Sequence, residues 1–143
     1  MKYCKYIPLL SLIFYSCNAD TGNVKMEYYS KNQIKSIKHY KDGIQDGEAI
    51  FFYPSGNVKG RISFFKGNID GYAYNFYPSG CLEKYRRYKN GKEVGTGEDY
   101  YDHELPLTKS FFQFNDSGRV VYKVNYNIHG QRLSEEGKEQ PDY

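Results

Sequence analysis

Tryptophan is absent from the 143 residues, methionine occurs twice, cysteine three times and proline five times. Each scarcity narrows what the chain can be. Three scattered thiols make neither a multi-cysteine zinc site nor the disulfide framework of a small secreted scaffold. Cys81, alone in the body of the chain, reads as an unpaired turn residue. No window keeps a 3.6-residue apolar period between helix caps, so helices are not expected. Neither sign of charge dominates: 20 Lys and Arg stand against 17 Asp and Glu. A nucleic-acid binder needs a clustered positive face. Lys84, Arg86, Arg87 and Lys89 cluster only locally, as a solvated strand and turn would, so no nucleic-acid partner is expected. The Gly-x-Ser-x-Gly elbow, the Walker loop and His-Glu-x-x-His are all missing.

Long hydrophobic runs are missing too. Ile7–Tyr15 is almost uncharged, yet too short to span a bilayer as a helix. Lys2 and Lys5 precede it, and Phe14-Tyr15-Ser16-Cys17 closes it. A basic start, a short apolar run and a small residue before a cysteine resemble a bacterial lipoprotein signal with its lipobox. The resemblance covers residues 1–17, and Phe14 departs from it where the family more often has Leu. It implies removal of residues 1–16 and attachment of diacylglycerol to the sulfur of Cys17. The same residues also fit an ordinary secretory signal that leaves Cys17 a plain thiol. Each buried methylene is worth about 0.8 kcal/mol, so two or three acyl chains hold a protein firmly on a membrane. Residues 17–27 then read as the lipidated cysteine and a polar tether. Asn18 follows the cysteine, so the Asp-dependent inner-membrane retention signal of the family is absent. The expected address is therefore the bacterial cell envelope, at the outer membrane facing the periplasm. Without Lys2 and Lys5 the charge falls to 18 basic against 17 acidic residues.

What the chain has in quantity is tyrosine and phenylalanine, 17 and nine. Aromatic residues favour strands, and the chain reads as all-β. Phe52-Tyr53-Pro54-Ser55-Gly56 returns as Phe76-Tyr77-Pro78-Ser79-Gly80, 24 residues on. The same shift aligns Tyr29, Tyr53, Tyr77 and Tyr101; Ile34, Val58 and Leu82; and Tyr40, Phe64 and Tyr88. It also aligns Gly43, Gly67 and Gly91, and then Gly47, Gly71 and Gly95. A fixed period of this kind marks stacked units.

Each column has a physical reason. Proline presets φ for the second position of a turn and glycine often closes it, so Tyr53–Gly56 and Tyr77–Gly80 are reversals. Asp42-Gly43, Lys66-Gly67 and Asn90-Gly91 are two-residue hairpin loops, in which both residues need positive φ. Between the turns lie strands such as Glu48–Tyr53, Val58–Phe65, Tyr72–Tyr77 and Leu82–Tyr88. The units therefore stack as an antiparallel meander of consecutive β-hairpins, an elongated curved sheet. The second glycines, Gly47, Gly71 and Gly95, are expected to let an aromatic ring of a neighbouring unit lie against the backbone. The repeats are assigned to 28–101. An irregular connection and a capping hairpin follow over 102–133, with Asn115–Gly118 as its turn, and a flexible tail over 134–143.

This pattern resembles the MORN repeat, in the bacterial variant whose members include chains called YwqK-like antitoxins. Tyr53, Gly56, Val58, Phe64, Gly67 and Gly71 carry the likeness, with Tyr77, Gly80, Leu82, Tyr88, Gly91 and Gly95. It covers residues 28–101 well and 110–131 poorly, and the tryptophan that the family often places ahead of the Tyr pair is absent. The resemblance implies a protein-interaction or membrane-associated role without catalysis. A scaffold repeat does not by itself carry a function.

Candidate chemistry is sparse. His39, His103 and His129 stand in no metal-ligand spacing. Asp102-His103-Glu104 alternate in direction along an extended chain and do not converge on one ion. Asp46, Asp70 and Glu93 recur near the second glycine as polar turn residues. No catalytic residue, metal or cofactor is expected. The rings outside the aligned columns, Phe51, Tyr72 and Tyr85, are candidates for surface binding, because tyrosine brings contact area at low entropic cost. Three readings follow: an interaction module for an unknown protein partner, an antitoxin or immunity protein, and a binder of envelope glycans or lipid headgroups.

Overall fold

The computed structural model describes residues 22–101 and 107–138. The leader, Cys17, the trio Asp102–Glu104 and residues 139–143 lie outside the described residues. The described chain is all-β: β1 (Asn23–Ser30), β2 (Gln33–Lys41), β3 (Ile44–Phe52), β4 (Val58–Phe65), β5 (Asn68–Phe76), β6 (Leu82–Lys89), β7 (Lys92–Glu93), β8 (Gly95–Tyr100), β9 (Leu107–Phe114), β10 (Val120–Asn127) and β11 (Arg132–Gly137). They form one antiparallel sheet in the order β1-β2-β3-β4-β5-β6-β8-β9-β10-β11, with β7 paired to β6. It is the meander that the repeat predicts, and it stays open at both ends.

The turns are those that the glycine columns require. Asp42, Lys66 and Asn90 have φ of 50°, 49° and 49°, and the glycines after them 78°, 83° and 78°. Both loop residues are left-handed, the geometry that matches the twist of the flanking strands. At the other edge the Pro-Ser-Gly turns are three-residue loops. Tyr53 and Asn57 close one around a Gly56 N–H to Tyr53 C=O bond of 2.9 Å, and Tyr77 and Cys81 close its copy. The Asn115–Arg119 turn of the capping hairpin and the Asn127–Gln131 turn repeat this pattern.

Successive units are tied at both edges. Along one, the hydroxyls of Tyr29, Tyr53 and Tyr77 donate to the carbonyls of Phe52, Phe76 and Tyr100 at 3.0, 2.7 and 2.8 Å. Asn57 adds its amide to the carbonyl of Pro78. Along the other, Asp46 accepts from the Lys66 N–H and Asp70 from the Asn90 N–H, at 3.1 and 3.0 Å. The polar column beside the second glycine thus caps the positive-φ turn of the next unit.

Several expectations change. Gly47, Gly71 and Gly95 do not receive aromatic rings. They hold φ of 97°, 105° and 65° at irregularities of pairing. Ser63 alone stands opposite the gap between Ile69 and Ala73. A Cβ on Gly71 would come 3.0 Å from the Cβ of Ser63, and one on Gly47 3.2 Å from that of His39. The bulge needs left-handed backbone, and the strand runs through it, so β3 and β5 begin at Ile44 and Asn68. Asn23–Glu27, assigned to a tether, pair with β2, and Ser134–Gly137, assigned to a flexible tail, pair with β10. Backbone hydrogen bonds hold these edge segments, which bury little. Cys81 is half of a disulfide rather than a free thiol.

Apolar burial is thin. Among the described residues, Ala49, Leu82, Phe114, Tyr122 and Val124 are the buried hydrophobic ones, joined by Ser36, Arg86, Ser110 and Gln113. Arg86 marks the junction of repeat and cap. Its guanidinium lies 2.7 Å from Asp99 and 3.7 Å from Glu93, and donates to the carbonyls of Tyr85 and Glu98. It also lies over the rings of Phe112 and Phe114, 4.8 and 5.6 Å from their centroids. The preceding units have Ile62 and Lys38 at this place in the repeat.

Candidate binding surface

Cross-strand register decides which side chains share a face. Met26, Ile37, Ile50, Arg61, Tyr74, Tyr85, Glu98, Phe111, Val124 and Glu135 follow one another as directly opposed partners from β1 to β11. This row crosses the whole sheet on one face. Tyr72 lies two residues before Tyr74 in β5 and therefore beside it.

Three tyrosines meet there. Tyr74 and Tyr85 are opposed, with ring centroids 5.4 Å apart. Tyr72 stacks on Tyr85 at 5.9 Å with planes inclined by 26°, and stands 6.3 Å from Tyr74. Tyr72 remains 46% exposed, so the cluster is a surface platform rather than a core. Arg61 faces Tyr74 from β4 and is held in a two-pronged pair by Glu48, at 2.8 and 2.9 Å. Arg87 faces Tyr72 from β6 and is exposed. On the far side Glu98 accepts hydrogen bonds from Lys109 and from the Tyr100 hydroxyl.

Burial raises the pKa of both Tyr74 and Tyr85, and the neighbouring Tyr72 raises them further; Arg61 and Arg87 respectively pull the other way. Tyr100 is pushed well above the usual phenol range, by burial and then by Glu98. The platform therefore presents neutral rings with hydroxyl donors, between an arginine already paired and one exposed to solvent. Flat rings of this kind stack on apolar faces, and the hydroxyls and guanidinium supply polar contacts at the rim.

Of the three rings singled out from sequence, Tyr72 and Tyr85 come together and Phe51 does not. Phe51 neighbours Ile50 in β3 and so faces the other side, where the Lys38 ammonium lies 5.8 Å from its centroid. Tyr74 takes the place of Ile50 in the preceding unit, so the period alone does not single it out. A signal for the platform does exist in the repeat. Shifting by 24 carries Glu48 onto Tyr72 and Arg61 onto Tyr85. The same two places hold an ion pair in one unit and a ring stack in the next.

Tyr29, Tyr53 and Tyr77 make unit-to-unit bonds and the repeat-defining glycines hold positive φ in turns and bulges, while the Tyr88 hydroxyl bonds Glu93 within its own hairpin. His39 bonds the Glu48 carbonyl at 2.6 Å, and His129 lies in an exposed turn. Among the described residues no group of three or more His, Cys, Asp and Glu could hold a metal ion, and no helix could cross a membrane. Compared with known proteins, the chain matches no family model and no curated protein.

Proposed function

We propose that this chain is a lipid-anchored protein of the bacterial cell envelope, held through Cys17, whose MORN-like sheet serves as a non-catalytic module for binding another protein. The binding face is the Tyr72–Tyr74–Tyr85 platform. The observation that carries this reading is the exchange of Glu48 and Arg61 for Tyr72 and Tyr85 at equivalent places of successive units. The frame already has a hydrophilic solution there, a surface ion pair worth under about 1 kcal/mol. Folding alone does not call for a half-exposed aromatic cluster at that place, whereas recognition uses one. The lipoprotein-like leader supports the address at the outer membrane.

The test is affinity capture of the tagged full chain, Cys17 intact, from its own membranes, with mass spectrometry of what is retained. One stoichiometric protein, lost when Tyr72→Ser and Tyr85→Ser are combined in a chain of unchanged circular dichroism, is expected. If its removal makes deletion of this chain harmless, that partner is a toxin and the immunity reading applies. Retention on purified envelope polymer or lipid, with no protein, would replace the proposal by a glycan or headgroup binder. For the anchor, Cys17→Ala should release the domain into a soluble fraction or block its processing. A sulfur carrying diacylglycerol has no valence left for a disulfide, and Cys4 leaves with residues 1–16, so the anchor and an intrachain disulfide of Cys81 exclude each other in the mature chain. A mature chain in which Cys17 is disulfide-bonded would overturn the anchor.

A further inference from the structure

The outer edge of β1 has no strand beside it among the described residues. Every residue of β1 except Glu27 is exposed, including Val24, Met26 and Tyr28 at 49%, 47% and 51%. These three share one face of the strand, and the Tyr28 hydroxyl points to the Met26 sulfur at 3.4 Å. An eight-residue edge without proline, apolar on one face, is a template for another strand.

The opposite face of β1 says which strand. Lys25 is directly opposed by Lys38 of β2, a like-charged pair, and Glu27 is ion-paired with Lys38, at 2.9 Å. No ion pair of Lys25 is formed within the described residues. A second β1 laid antiparallel on the free edge, with Met26 opposite Met26 on a two-fold axis, corrects this. Lys25 of each copy then faces Glu27 of the other, twice over by symmetry. On the apolar face Val24 faces Tyr28, also twice, with the two Met26 side chains between. Slipping by two residues, which keeps each face in place, puts Lys25 opposite Lys25 in one direction. Slipping in the other puts Glu27 opposite Glu27. Like charges directly opposed destabilise a pair of strands, so the strand selects a single register.

We infer that β1 is a self-association surface whose occupant is the β1 of a second copy, paired antiparallel about Met26, merging two sheets into one with continuous faces. A two-fold contact of this kind closes on itself and stops at two chains. A head-to-tail contact of β1 with β11 would instead propagate without end.

Sedimentation of the full chain in detergent solution tests the inference. A dimer that does not grow with concentration is expected. Lys25→Glu puts only acidic residues at the seam and Glu27→Lys only basic ones, so each variant alone should lose the dimer. Mixing the two should restore it, as a heterodimer. Met26→Cys leaves the charges untouched and should give a covalent dimer without reductant, whereas Val24→Cys should not. A monomeric wild type, an open-ended series, a dimer indifferent to Lys25→Glu, or equal cross-linking at positions 24 and 26 would each overturn it. Should Glu27→Lys weaken β1 itself, the cysteine pair still decides.

Discussion

Arg86 lies across Gly97 so closely that a Cβ on the glycine would stand 2.8 Å from Arg86 Cδ and 3.1 Å from both its Nη1 and the Phe114 ring. The residue opposite a buried guanidinium must be the smallest available, and here φ is not the reason, since Gly97 is not among the positive-φ glycines. Gly97→Ala should therefore cost about 1–3 kcal/mol by overpacking. In an Arg86→Ala background the added methyl has room, and most of that cost should vanish. Urea midpoints of the two single variants and the double variant measure the coupling. Additive losses would mean that Gly97 is required for another reason.

The tyrosine ties between units can be tested singly. Tyr53→Phe keeps the ring and removes the hydroxyl that reaches the Phe76 carbonyl at 2.7 Å. A loss of about 1 kcal/mol is expected. Tyr77→Phe, which deletes the next bond in the column, should cost about as much. Denaturant unfolding at equal slope checks both, and unchanged midpoints would show that these bonds do not tie the units.

The hairpin loops make a sharper contrast. Gly67 has φ +83° and an added Cβ would already touch Ile44 at 3.4 Å. Gly67→Val should lose about 1–2 kcal/mol from the left-handed backbone alone, while Ser55→Ala, in an exposed turn, should stay within about 0.5 kcal/mol. Equal melting temperatures would count against the register.

These turns are also where the sequence was most legible. A positive φ restricts residue type so strongly that Asp42-Gly43 and Asn90-Gly91 identify their loops unaided. The second glycines were visible as a column but not as bulges, because a bulge depends on which residue of the neighbouring strand is skipped. Ser63 reveals that only once β4 and β5 are paired. The two edge strands escaped notice for another reason. Ser134–Gly137 are held through the backbone, which leaves no trace in side-chain periodicity, whereas Val24, Met26 and Tyr28 do alternate with Lys25 and Glu27, over too short a run to outweigh the polar residues before them. The binding surface fell between these cases. Tyr72 and Tyr85 stood out as rings outside the columns, but grouping them with Tyr74, and separating Phe51, required the register.

Alkaline pH should loosen the sheet through its phenols. Burial is the largest cause raising Tyr53, Tyr74, Tyr85, Tyr88 and Tyr100 above the usual value of 10.0. The native state thus holds protons that the unfolded chain releases first. Their contribution is complete below the unfolded value and declines as pH rises from there through the higher folded values. Stability should be level to about pH 9 and fall steadily beyond about pH 10. Phenolate absorbance of the folded protein should lag behind that of the chain in denaturant. Tyr85→Phe removes one of the shifted groups and should flatten the decline. A titration in which folded and denatured chains ionise together would show that the Tyr72–Tyr74–Tyr85 platform is more open to water than its ring distances indicate.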